Sequence, residues 1–325
     1  MADPPETLTA LLAGDRRALA RAITLVESTR PDHRREAEAL IEALLPATGN
    51  AVRLGISGAP GVGKSSFIEA FGLHLVERGH RVAVLAVDPS SKRSGGSILG
   101  DKTRMAELSR SPSAFIRPSP SAGTLGGVAR RTRDGILVCE AARFDVVIVE
   151  TVGVGQSETA VADMVDLFCL LLQPGAGDEL QGIKKGIVEL AELIVVTKSD
   201  GELKDAAGRA VAEYRAALRF LRPLSAAWTP EVWPVSSVTG EGLDRIWDAI
   251  GRHRAALTES GEVAARRACQ AEAALRAELT GVILDALTER PGMAAQIAEV
   301  EARVREGATT PAAGARKLLE LFLAS

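Results

Sequence analysis

The sequence predicts an α/β fold, a mostly parallel sheet flanked by helices, in residues 51–255, with helical extensions at residues 1–50 and 256–325. Two observations carry this reading. Short apolar runs recur at 52–57, 82–87, 114–117, 146–149, 167–172, 193–196 and 232–235, most of them separated by helix-length windows. The runs are continuously apolar rather than alternating, as strands read when helices cover both faces of a parallel sheet. Helical periodicity takes over at both ends of the chain.

Residues 34–45 place Ala37, Leu40, Ile41, Leu44 and Leu45 on one helical stripe, punctuated by Pro31, Pro46 and Gly49. The window 64–78 reads as the first crossover helix. From about residue 262, Leu275, Leu279, Val282, Ile283, Ala286 and Leu287 fall on one face of a long helix that Pro291 and Gly292 break. A last short helix has Thr310 as N-cap and Pro311 in its first turn, with Leu318, Leu319 and Phe322 beyond. Such an appendage either packs on its own domain or offers its stripe to a second copy. Standing beyond an already complete domain, it reads as a self-association element.

Composition removes several classes. Of 325 residues, 39 are Lys or Arg and 42 are Asp or Glu, so the basic surplus of a general nucleic-acid binder is missing. Aromatics are only 3%, which leaves the core to Ala, Val, Leu and Ile. Cys139, Cys169 and Cys269 are odd in number and far apart, which excludes a disulfide framework, and Cys169 reads as a core residue. The histidines (His33, His74, His80, His253) are equally dispersed and suggest no metal cluster. The first ten residues lack the pattern of a secretory signal, and no run approaches the roughly 18 apolar residues of a membrane span. A soluble, cytoplasmic protein without membrane or nucleic-acid partners is expected.

The strongest local signal is Gly58-Ala59-Pro60-Gly61-Val62-Gly63-Lys64-Ser65, followed by Ser66, between an apolar run and a helical window. It matches G-x-x-x-x-G-K-[ST] in the context the motif requires. Glycines let backbone N–H groups turn toward phosphate oxygens, and the helix N-terminus adds partial positive charge. Lys64 is expected on the β- and γ-phosphates and Ser65 on Mg²⁺. A second signal is the buried run ending in Glu150, with Gly153 three residues on. P-loop proteins place an acid here to hold Mg²⁺, usually Asp.

A third signal, Thr197-Lys198-Ser199-Asp200, resembles the guanine-specificity pattern N-K-x-D. A carboxylate can accept both N1–H and N2–H of guanine, while the lysine stem packs on the base. Thr197 stands where Asn is usual and is expected to loosen the loop. The stretch Ser236-Ser237-Val238 matches the loop that meets guanine O6 through backbone N–H. These elements in this order make the fold a P-loop NTPase of the G-domain kind, binding GTP and GDP and transferring the terminal phosphoryl group to water.

Three polar segments read as moving parts. Residues 88–104 form a first switch, with Asp88 or Asp101 as further metal ligands. Residues 153–158 form a second, where Gln156 is the amide expected to orient the attacking water. Residues 174–186 form a third, where a partner could read the nucleotide state. Arg130, Arg131 and Arg133 read as a solvated helix face.

With Glu150 in place of Asp, the strings at 150–158, 87–91 and 173–185 resemble the MeaB/ArgK group, in the metallochaperone branch of the P-loop GTPases. The resemblance covers nearly the whole chain. It implies a GTPase chaperone of adenosylcobalamin-dependent methylmalonyl-CoA mutase that gates cofactor delivery from the adenosyltransferase, protects the mutase, and forms homodimers through its C-terminal arms. It also implies that Asp88, Asp101 and Glu150 surround Mg²⁺ and the switches, and that Asp178 and Lys184 signal to the mutase. Thr197 and Ser199 depart from the group's usual N-K-A-D string. Rival readings are a metal-insertion chaperone of the same class, a nucleotide-locked binding module, and a small-molecule kinase. The dispersed Cys and His disfavour the first, and Thr197-Lys198-Ser199-Asp200 argues against the last.

Overall fold

The computed structural model describes residues 4–87, 105–118, 125–151, 157–175 and 185–324. All seven runs are strands: β1 (Val52–Gly58), β2 (Val82–Val87), β3 (Ala114–Pro118), β4 (Val146–Thr151), β5 (Leu167–Leu172), β6 (Leu193–Val196) and β7 (Glu231–Pro234). They form one parallel sheet of order β3-β2-β4-β1-β5-β6-β7. The chain leaves β1 toward β2 and later returns to its other side with β5. The strand order therefore reverses at β1, the position where open α/β sheets bind ligands beyond their carboxyl ends.

Strand alternation feeds two separate cores. Val84, Ile148, Leu54, Ile56, Leu171 and Val195 pack on one face against Phe67, Ile68, Phe71 and Leu75 of α4 (Lys64–Glu77). α5 (Ala106–Arg110) adds Leu108 to this face, and α10 (Leu243–Glu259) adds Ile246 and Ile250. The other face carries Leu85, Val147, Val149, Leu170 and Ile194 under α1 (Pro4–Leu12), α2 (Arg16–Val26), α3 (Pro31–Leu44), α6 (Leu125–Ala141), α7 (Ser157–Ala162), α8 (Lys185–Leu190) and α9 (Lys204–Leu218). α2 starts on Asp15, whose carboxylate accepts the Ala18 N–H at 2.7 Å, and buries Leu19, Ile23 and Val26. The N-terminal helices therefore complete a core.

Two compact units result, Met1–Gln270 and Ala271–Ser325. The long helix α11 (Glu262–Glu289) begins in the first unit. There Arg267 clamps Asp166 with both carboxylate oxygens (2.8 and 2.6 Å) and donates to Gly49 O and Ala51 O. Arg266 donates to Glu192 at 2.9 and 2.8 Å. In the second unit, α12 (Met293–Arg305) and α13 (Pro311–Ala324) pack so closely that a Cβ on Gly314 would sit 2.8 Å from Val300 Cγ1. Thr310 Oγ1 accepts the Ala313 N–H at 3.2 Å, the expected cap. α12 lies within the helical extension expected at 256–325, although the sequence reading singled out no separate helix there. Met293, Ile297, Val300 and Val304 recur along it at helical spacing, and Met293 and Val300 are buried. No helix among the described residues is long and apolar enough to cross a membrane.

Candidate nucleotide site

Parallel strands deliver the motif residues to one end of the sheet. Gly58 closes β1, Glu150 sits one residue from the end of β4, and Thr197 and Val235 follow β6 and β7. A Cβ on Gly58 would lie 2.6 Å from Leu171 O, so the loop's entry has room only for glycine. Gly63 caps α4 with φ +97°, a conformation that other residues adopt only at a cost. The first-turn amides of α4, beginning at Lys64, Ser65 and Ser66, have no intrahelical acceptor and form an anion-binding end.

Lys64 Nζ donates to Gly58 O at 2.6 Å and Ala59 O at 3.2 Å, lying along the inside of the loop. Burial pushes its ammonium below the ordinary lysine value, against the opposing charges of Glu150 and Glu158. Both carboxylates are buried, at 4% and 2% exposure. Glu150 lies in register with Ile56 of β1 and Ala86 of β2. Next to it, Thr151 Oγ1 donates to Ser57 Oγ at 2.8 Å, tying the end of β4 to that of β1. Ser65 Oγ and the Glu150 carboxylate are hard oxygen donors of the kind Mg²⁺ accepts when phosphate and water complete its shell. Among the described residues, no three His, Cys, Asp or Glu converge as a protein-only metal cage. Asp88, Asp101, Gln156, Gly153, Asp178 and Lys184 lie outside the described residues.

The base-recognition elements are joined to the P-loop and to each other. Thr197 is buried, and its Oγ1 lies 2.7 Å from Val62 O as donor, with Leu172 O at 3.1 Å. The expectation that Thr197 loosens the loop is therefore corrected, because its hydroxyl fastens this turn to the P-loop. Lys198 has φ +55°, uncommon outside glycine. Its ammonium holds that turn in place through Gly61 O (2.9 Å) and Gln173 Oε1 (3.1 Å). Ser236, fully buried, donates its hydroxyl to Asp200 and accepts the Val238 and Thr239 N–H groups at 3.2 and 3.1 Å. Its own N–H goes to Glu241 O. Ser236 thus orients the Asp200 carboxylate, while Ser237 stays on the accessible side and Val238 is 86% exposed.

Two arrangements escaped the sequence. Arg131 was read as part of a solvated face; it is buried, donating to Gly127 O (3.0 Å) and Glu27 O (3.3 Å). The second is a buried polar network at the far end of the sheet, where Glu192 accepts from Arg266 and pairs with His253 Nε2 at 3.2 Å. Trp228 Nε1 donates to Glu192 O, and its ring meets His253 edge-on. No spacing signal joins residues 166, 192, 253 and 266; only the fold brings them together.

The family model described as methylmalonyl Co-A mutase-associated GTPase MeaB matches residues 19–292. A Caulobacter vibrioides protein that carries a GTPase name is 58% identical, over 96% of this chain and 95% of its own. The mouse protein named methylmalonic aciduria type A homolog, mitochondrial, is 49% identical over 97% of this chain and 78% of its own. A crystal structure described as LAO/AO transport system kinase superposes with TM-score 0.76 and 40% identity, covering 98% of this chain and 97% of that one.

Proposed function

Because the chain belongs to the MeaB family of GTPases and is a GTP hydrolase, we propose that it is a GTP-driven chaperone of adenosylcobalamin-dependent methylmalonyl-CoA mutase. In this reading it gates cofactor loading from the adenosyltransferase and protects the mutase from inactivation. The observation that carries the partner is the mutase-associated family, whose model spans residues 19–292.

Within the site, the amides around 58–66 hold the phosphates and Lys64 spans the β- and γ-phosphoryl groups. Mg²⁺ supplies charge neutralisation when bound, held by Ser65 and Glu150, with Asp88 or Asp101 completing the set. Gln156 orients the water that attacks the γ-phosphorus, and the γ-phosphate departs from GDP. Catalysis is positioning plus charge stabilisation, with a slow intrinsic rate that a partner raises. The Lys198 stem lies along the base, Asp200 accepts its N1–H and N2–H, and the Ser237 and Val238 side of the 235–242 loop meets O6. The exposed Leu275, Leu279, Val282 and Ile283 support a homodimer through the C-terminal arm. The protein works in the cytoplasm.

Asp200→Asn tests the base site. Losing the charged acceptor should weaken GTP by about 2–3 kcal/mol, roughly 100-fold, while xanthosine triphosphate, which offers a carbonyl in place of the 2-amino group, gains affinity. Unchanged guanine preference in a competition titration would place base recognition elsewhere. The partner is tested by sedimentation of the purified protein with methylmalonyl-CoA mutase in GTP and in GDP. A complex whose affinity differs between the nucleotides supports the chaperone reading; no complex in either removes it.

A further inference from the structure

The edge strand β7 pairs only with β6. The N–H groups of Glu231 and Val235 reach Glu192 O and Val196 O, on the β6 side, at 3.4 and 2.8 Å. The Val232 N–H and C=O therefore turn outward. Arg215 covers that carbonyl at 2.8 Å, and Pro234 has no N–H, so the edge is blunted against a further strand. Recognition here has to run through side chains.

Beside the edge lies a depression of about 350 Å³, lined in part by Arg215, Arg219, Arg252, Trp233, Leu218 and Pro230. Its one carboxylate, Glu231, already accepts from Trp233 Nε1 at 2.6 Å and Arg252 at 2.7 Å. Arg215 and Arg245 flank the Trp233 ring, 5.2 and 5.8 Å from its centroid, an arrangement that holds guanidinium and indole in place. Arg219 is exposed and has no acceptor among the described residues. The residue after it, Phe220, is 89% exposed, and Leu224 is 56% exposed. Surplus positive charge, the Trp233 ring and the apolar Leu218 and Pro230 line one depression.

We propose that this surface docks an acidic segment of a partner protein. Partner carboxylates pair with Arg219 and the free N–H groups of Arg215, and an apolar side chain of the segment packs on Leu218 and Pro230. The charge balance calls for an anionic occupant. The volume and the apolar rim suit a peptide rather than a lone ion. The inference does not depend on the identity of the mutase partner.

The test is calorimetric titration of the full-length protein with a decapeptide of Glu residues around one Phe, at low salt. Saturable binding is expected, weakened at least tenfold by Arg219→Glu, with GTP hydrolysis unchanged and no binding of the matching Lys peptide. Three results would overturn the proposal: no saturable binding, equal affinity in Arg219→Glu, or competition by inorganic phosphate at the peptide's own concentration. The last would make the site a small-oxyanion pocket.

Discussion

Lys64→Ala is expected to weaken GTP and GDP by about 3 kcal/mol or more, at least a hundredfold. A hydrogen bond from a charged donor contributes about 1.5–3 kcal/mol, and Lys64 is placed to serve more than one phosphoryl oxygen. Its ammonium lies inside the loop on Gly58 O and Ala59 O, within the field of Glu150 and Glu158. Bound nucleotide is expected to take the ammonium from those carbonyls to phosphate oxygens. The loop geometry does not need the lysine, because it rests on the tight fit of Gly58 against Leu171 O and on Gly63. Far-UV circular dichroism should therefore stay unchanged while binding is lost. Unchanged GDP affinity in the variant would sink the P-loop assignment.

Glu192→Ala should destabilise the fold by about 3–5 kcal/mol, because it leaves Arg266 and His253 in a buried site without their carboxylate. For a chain of this size that is about 4–7 °C in Tm. Burial by itself would raise the Glu192 pKa, but hydrogen bonds and charge from His253 and Arg266 outweigh it and hold the group below its ordinary 4.5. The sign follows from that depression. The stabilisation is complete above pH 4.5, the unfolded value, and is lost as pH falls from there through the folded value. Thermal melts between pH 7 and 3 should show the wild type losing stability below about 4.5, with a shallower loss in Glu192→Gln. Parallel curves for the two proteins would contradict the assigned role of the carboxylate in anchoring α11.

What the sequence displayed was whatever rests on local rules. The seven strands announced themselves because helices cover both faces of the sheet, so that most of the runs are continuously apolar. Gly58, Gly63 and Lys64 stood out because phosphate binding demands those residue types at that spacing. The role of Thr197 was misread, since a hydroxyl reaching Val62 O across 135 positions has no local signature. Ser236 was read as a base contact, whereas its hydroxyl works on Asp200. Arg131 and the Glu192 network stayed hidden for the same reason: a buried charge is identified by its partners, and the fold supplies them. The short stripe Met293, Ile297, Val300 and Val304 of α12 was legible but passed over behind the break at Pro291 and Gly292.

The claim at the centre is that nucleotide hydrolysis by this chain is coupled to methylmalonyl-CoA mutase. Its most direct test is the steady-state rate of GTP hydrolysis, measured with the mutase of the same organism absent and at saturation. The account predicts a slow rate alone and a severalfold increase with the mutase, abolished by Lys64→Ala. A rate unmoved at saturating mutase, with no complex formed, would leave the GTPase standing and contradict the partner.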